Sequence, residues 1–292
     1  MKVLIVGAKG QLGTELQNCA PENIKLKAVD IEELDISQKE LVNTTLHDFN
    51  PEVVINASAY TAVDRAEQEE GIAFKVNCEG VANLALASKG IGARVIHIST
   101  DYVFDGRSCK PYLTSDSSNP QTAYGRTKLA GEKALAEAID NYIIIRTSWL
   151  YSPNGSNFVK TMLRLMTERD ELSIVADQIG TPTSSHTLAK AVWEFTERDN
   201  LTGVYHCSDS GAASWYDFAH EIMIKAVRIG LLEDKIRLLP ITTADYPTPA
   251  ERPMYSVMDK TSLYKDLGIE PIHWADALEE VLLKIKEMAD AV

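Results

Sequence analysis

The opening stretch MKVLIVGAKGQLG limits the fold more than any other segment of the chain. An unbroken apolar run, KVLIVGA at 2–8, leads into Gly7, Gly10 and Gly13, and the helical pattern GTELQNCA at 13–20 follows. An apolar run that does not alternate reads as a strand covered on both faces, the habit of parallel sheets flanked by helices. Gly7 can take a turn that other residues cannot, Gly10 lets a phosphate approach the backbone, and Gly13 lets helix and strand pack closely. The amides at the start of that helix then favour an anion. Gln11 and Leu12, between the last two glycines, join them as candidate dinucleotide contacts.

The alternation continues through the first half. IKLKAVD (24–30), EVVINASA (52–59), ARVIHIST (93–100) and YIIIRTSWLY (142–151) read as strands. Helical patterns separate them at 38–49, from about 64 to 89, and at 123–138. Such alternation predicts an α/β chain: a Rossmann-type doubly wound parallel sheet, here with a smaller C-terminal substrate domain. The expected division is 1–150 for the dinucleotide and 151–292 for the substrate, with segments near 172–206 able to rejoin the first sheet. In the second half, helices are expected at 157–168, 181–197, 214–230 and 274–289, and strands at 172–177 and 203–209. DYPTPAERP (245–253), with three prolines, reads as loop.

The net charge of −13 argues against nucleic acid as a partner. No apolar run reaches the ~18 residues of a membrane span. The first apolar stretch is too short for a secretory leader, so a cytoplasmic protein is expected. The four cysteines are widely spaced, which fits free thiols, and the six histidines show no metal-ligand spacing, so no metal site is predicted.

Asp30 closes the second strand, where a carboxylate can take the ribose hydroxyls of NAD and repel a 2′-phosphate. Lys9 in the glycine turn could offset that repulsion, so NAD and NADP both stay open. Asp35 and Ile36 are candidates for the adenine side, with a helix start as the alternative reading. Tyr124 is the one tyrosine of eleven with a lysine, Lys128, four residues on. One helical turn places the two on one face. An ammonium nearby lowers a phenol pKa and equips it for proton transfer with a carbonyl. The pair opens the helix after VIHIST, whose last residue, Thr100, can hold a carbonyl toward Tyr124.

Glycine turn, Ser-Thr strand end and Tyr-x-x-x-Lys, in this order, resemble the extended short-chain dehydrogenase/reductase family, whose members act on nucleotide sugars. GAKGQLG, NASAYTAVD, STDYVFDG, YGRTKLAGE, DQIGTPT and ERPMYS carry the resemblance, over about residues 3–258. Ser58 stands where the family more often has alanine. The resemblance implies NAD or NADP as cofactor and reduction of a dTDP-linked 4-keto sugar destined for surface polysaccharide. It implies that Ala57, Ser58, Ala59 and Tyr60 run along the cofactor and that Asn77 lies near it. Thr61 and Trp149 would meet the sugar, and Tyr102 the sugar or its phosphate. Asn157, Phe158, the GTPT turn at 180–183 and Arg252 fall in the half that would hold the nucleotide. Some relatives dimerise around magnesium held by glutamates; Glu15 is a candidate here, without a full ligand set, and a homodimer stays open.

Two other readings share this core. A nucleotide-sugar 4-epimerase would keep its NAD bound through turnover. A regulatory subunit resembling that of methionine adenosyltransferase would bind a cofactor without catalysis, which the intact Thr100, Tyr124 and Lys128 argue against. Dehydratases of the family place Asp-Glu after the strand-four threonine; here Asp101 is followed by Tyr102.

Overall fold

The computed structural model describes residues 1–290. Six strands form the large sheet: β1 (Lys2–Val6), β2 (Lys25–Val29), β3 (Val53–Asn56), β4 (Arg94–Thr100), β5 (Tyr142–Thr147) and, later in the chain, Gly203–His206. All are parallel, and the last lies beside β5. Alternate residues of one strand face opposite sides, which explains the unbroken apolar runs. Val3 and Ile5 of β1 pack on one face with Leu16 and Val192; Leu4 and Val6 pack on the other with Val42, Leu46 and Leu84.

The helices on these faces are α1 (Gln11–Asn18), α2 (Lys39–Phe49), α3 (Val63–Ala66), α4 (Glu70–Phe74), α5 (Val81–Ile91) and α6 (Ala123–Ala138). The stretch read as one helix from 64 to 89 is therefore interrupted: α4 and α5 are joined by a wide π turn, Lys75–Gly80. The strand expected at 142–151 also breaks. Trp149 takes a left-handed backbone, φ 48°, and β6 (Leu150–Tyr151) leaves the sheet.

The rest of the chain supplies α7 (Phe158–Glu168), β7 (Glu171–Val175), β8 (Ile179–Gly180), β9 (Thr183–Ser184), α8 (Ser185–Thr196) and β10, the Gly203–His206 strand already placed. After these come β11 (Ala213–Ser214), α9 (Trp215–Ile229), β12 (Arg237–Ile241), α10 (Thr261–Leu267) and α11 (Trp274–Asp290). Only β10 of the later strands joins the large sheet; β7 pairs with β12, a strand the sequence pattern did not show. A second apolar core, with Met162, Leu172, Phe218, Ile222, Leu278 and Leu282, lies among α7, α9 and α11. Helix α8 belongs to the first core, through Leu188, Val192 and Phe195. Among the described residues, no helix is long and apolar enough to cross a membrane.

Strand order β2-β1-β3-β4-β5-β10 reverses direction at β1. A crevice opens at the carboxyl ends of the strands at such a reversal. The glycine turn follows β1, and the 57–61 loop follows β3.

Candidate active site

A cleft of about 590 Å³ lies at these strand ends. Gly7 forms its floor at φ 87°, where a side chain would be strained and its Cβ would stand 2.7 Å from the Ser58 amide nitrogen. A Cβ on Gly13 would come 2.0 Å from the Gly7 carbonyl oxygen, so α1 packs on the turn only because residue 13 is glycine. Gly10 caps α1 without a side-chain hydrogen bond, leaving the helix-start amides to a ligand. This bare cradle, which side chains would fill, fits a dinucleotide pyrophosphate.

Gly7, Gly10, Gln11, Leu12, Asp30, Asp35, Ile36, Ala57, Ser58 and Ala59 all line the cleft. Asp30 accepts from the backbone amides of Lys9 (2.6 Å) and Ile31 (2.8 Å). The Lys9 ammonium turns instead to Glu32 at 2.9 Å. Two predicted residues stand behind the wall. Gly13 works through packing. Tyr60 turns its hydroxyl to Glu69, while its backbone is gripped by Asn77: Tyr60 N–H to Oδ1 at 2.8 Å, and Nδ2 to the Tyr60 carbonyl at 3.1 Å. Asn77 Nδ2 also reaches Thr127 Oγ1 at 3.1 Å, tying the loop to α6. The π turn aims Asn77 this way.

Thr100, Tyr124 and Lys128 converge on the same cleft. Thr122 caps α6 by accepting from the Gly125 amide at 3.0 Å, which sets Tyr124 in the first turn and Lys128 one turn on. Lys128 is almost fully buried, and its Nζ donates to the Ile98 carbonyl at 2.6 Å. Burial lowers its pKa to about 8, against the opposing pull of Glu132. The expected lowering of Tyr124 by Lys128 is not what dominates: burial pushes the phenol up. Thr100 Oγ1 donates to Asp101 Oδ1 at 2.9 Å and accepts from the Tyr102 amide at 3.2 Å. Burial raises the Asp101 carboxyl to about 6. A buried pair, Arg146 and Glu132 at 2.6 Å, with Ser99 donating to Glu132, locks α6 to β4 and β5.

Thr61, Tyr102 and Trp149 complete the cleft wall. Tyr102 meets Tyr124 edge to face at 5.5 Å. Trp149 stacks on Trp215 at 3.5 Å between ring centroids. Arg252 lies beside the cleft rather than in its wall: it donates to the Tyr102 hydroxyl at 3.2 Å and to Asp64 Oδ2 at 2.7 Å. Asn157 is the cap of α7 and donates to Gln11 Oε1 at 2.9 Å, behind the glycine turn. Phe158 tilts against Trp215.

The family model described as the RmlD substrate binding domain matches residues 1–287. A dTDP-4-dehydrorhamnose reductase of Aggregatibacter actinomycetemcomitans is 42% identical, with 96% of this chain and 98% of the relative aligned. This chain belongs to the dTDP-4-dehydrorhamnose reductase family. Crystal structures of the family agree. A dTDP-4-dehydrorhamnose reductase of Clostridium acetobutylicum superposes with a TM-score of 0.93 at 42% identity, covering 98% of this chain and 100% of its own. One from Bacillus anthracis, in complex with NADP, gives 0.92 at 38% identity, covering 97% and 99%.

Glu15, the residue the resemblance offers for magnesium, faces nitrogen donors rather than further carboxylates. The buried Glu15 carboxylate is engaged by His186 Nδ1 at 2.9 Å and approached by Lys284 Nζ at 3.7 Å. The His186 hydrogen bond leads in holding it below the usual carboxylate range. Both nitrogens approach the same oxygen, Oε1, and the Lys284 ammonium beside it works against a second cation. No group of three or more metal-ligating side chains is arranged for an ion among the described residues. Sequence reasoning passed over Asn56, His97, Asp64, Ser148 and Trp215. Their signal is tertiary: each is an ordinary strand, loop or helix residue until the neighbouring element arrives.

Proposed function

We propose that this reductase reduces the C4 keto group of dTDP-4-dehydrorhamnose to give dTDP-L-rhamnose, with Tyr124 as proton donor. The convergence of Thr100, Tyr124 and Lys128 in a cleft ending at the bare glycine turn carries the reading. A reduced nicotinamide dinucleotide, NADPH or NADH, supplies the hydride. Gly7, Gly10, Gln11 and Leu12 receive its pyrophosphate, Asp30 its ribose, and Asp35 and Ile36 its adenine side. Ala57, Ser58 and Ala59 flank its length, with Tyr60 and Gly13 shaping the wall from behind.

Thr100 exchanges Asp101 for the keto oxygen and directs it to Tyr124. Burial keeps the Tyr124 phenol protonated, so the acid is loaded at neutral pH. An alkoxide is the stronger base and takes that proton. Lys128, as the ammonium, stabilises the phenolate left behind. Trp149, Tyr102 and Thr61 bound the sugar. Arg252, a planar fork suited to phosphate, faces the diphosphate, and Asn157 steadies Gln11. The chain reads as two parts: 1–150 with β10 for the dinucleotide, and most of 151–292 for the sugar nucleotide.

Oxidation of NADPH and NADH with dTDP-4-dehydrorhamnose tests this. Tyr124→Phe is expected to lower kcat by about 10²–10⁴-fold with dinucleotide affinity unchanged. Undiminished turnover in that variant would remove Tyr124 from the chemistry.

A further inference from the structure

A line of buried polar side chains runs beneath Lys128. β3 and β4 are neighbours with Asn56 opposite His97, and both residues are buried. The Ser58 backbone amide donates to Asn56 Oδ1 at 3.1 Å, and Ser58 Oγ donates to the same oxygen at 2.6 Å. A backbone amide only donates, so Oδ1 belongs on that side and Nδ2 faces His97 Nδ1, 3.1 Å away. His97 Nδ1 must therefore accept. A neutral imidazole that accepts at Nδ1 carries its proton on Nε2. That nitrogen lies 3.3 Å from Lys128 Nζ.

An Nε2–H and an ammonium both donate and cannot satisfy one another. A neutral amine can: it gives one N–H to the Ile98 carbonyl and accepts the Nε2–H on its lone pair. An imidazolium does not fit Asn56, because its Nδ1–H would meet the Asn56 Nδ2–H. We propose that His97 is a positioning residue which, oriented by Asn56 and Ser58, favours the neutral amine of Lys128 and so lowers the pH below which Lys128 holds its proton. The proposal rests on the reduction read above, in which Lys128 acts as the ammonium.

Burial works in the same direction, lowering Lys128 to about 8 and His97 well below the usual histidine range. Among the other groups near Lys128, Glu132, one turn along α6, favours the ammonium, but it is shared with Arg146 of β5 at 2.6 Å and with Ser99 of β4. Tyr124 of α6, Asp101 after β4 and Tyr102 line the cleft side. Reduction should therefore fade above about pH 8, where an ordinary lysine would stay charged to beyond ~10.

The first test is nitrogen NMR of histidine-labelled full-length protein without added dinucleotide, from pH 6 to 9. A neutral His97 protonated on Nε2 is expected; the other tautomer, or an imidazolium, overturns the proposal. This readout does not need turnover, so it stands even if the reductase reading fails. The second is the pH dependence of kcat/KM with NADPH and the sugar nucleotide. Asn56→Asp offers His97 Nδ1 an acceptor and reverses the tautomer. His97→Leu removes the facing N–H without adding charge. Both should move the alkaline limb upward by about one pH unit, retaining about fivefold more of the maximal activity at pH 9. A shift in Asn56→Asp alone would be a plain charge effect and would overturn the proposal, as would an unmoved limb in both.

Discussion

Asp30 carries two duties at the residue scale. Its oxygens accept from the Lys9 and Ile31 amides, which shapes the turn, and the same carboxylate lines the cleft where the proposed function puts the ribose. Lys9 could soften this negative corner, but its ammonium is paired with Glu32. Asp30→Ser is expected to move the ratio of kcat/KM for NADPH over NADH upward by about tenfold, close to one charge interaction in a half-exposed site. An unchanged ratio would mean the ribose edge is read by other residues. Asp30, the glycines and the Tyr-x-x-x-Lys pair could be picked out in the sequence because their function depends on local spacing. The burial of Tyr124 could not, and it reverses the direction of that phenol's shift.

At the scale of elements, α6 is held by contacts that helix propensity does not reveal. A Cβ on Gly131 would stand 2.0 Å from the Asn77 carbonyl oxygen of the π turn. Backbone cannot yield as a side-chain tip can, so Gly131→Ala should destabilise the protein by about 2–4 kcal/mol despite alanine's better helix propensity. Urea unfolding measures this, and a stabilised variant would show that α6 can shift outward freely. The π turn escaped the sequence reading because its residues sustain a helical pattern. Its wider winding serves Asn77, whose partners are 17 residues back and 50 residues on. The strand break at Trp149 is similar. Its left-handed backbone is stabilised by the Trp215 stack and by Ser148, which donates to the Thr181 carbonyl at 2.8 Å.

The whole molecule joins its two cores across the cleft. Asp64, following β3, holds Arg252 at 2.7 Å and accepts from the Ala250 amide at 3.2 Å, so the proline-rich loop is clasped to the large-sheet side. Arg252→Lys keeps the charge and loses the fork. It should raise KM for the sugar nucleotide about tenfold with dinucleotide affinity within about twofold. Equal losses of both would assign the loop a purely structural role. Stability carries its own pH signature. Asp101 is raised from 3.8 to about 6, so the folded state binds its proton more tightly than the unfolded state does. Its ionised form therefore opposes folding fully above about pH 6, and the opposition disappears as pH falls toward 4. Asp101→Asn should be more stable than the parent by about 1–3 kcal/mol at pH 7 and level with it near pH 4. Urea midpoints at the two pH values decide this; an advantage that does not change with pH would point to packing instead.

The order of strands and helices in the first half, the glycine turn and the Tyr124–Lys128 pair were legible in the sequence alone, because each rests on periodicity or spacing within a few residues; Thr100 was marked by its place at the end of β4 and joins the pair only in the cleft. Tertiary structure decided which later strand completes the sheet, and it pairs β10 with β5 and β7 with β12. It also placed Arg252 against Asp64, Glu15 against His186, and His97 between Asn56 and Lys128. These partners lie from 31 to 188 residues apart along the chain. The protonation of Glu15, His97 and Lys128 depends on burial and on hydrogen-bond direction, which exist only once the sheet and its helices have closed around them.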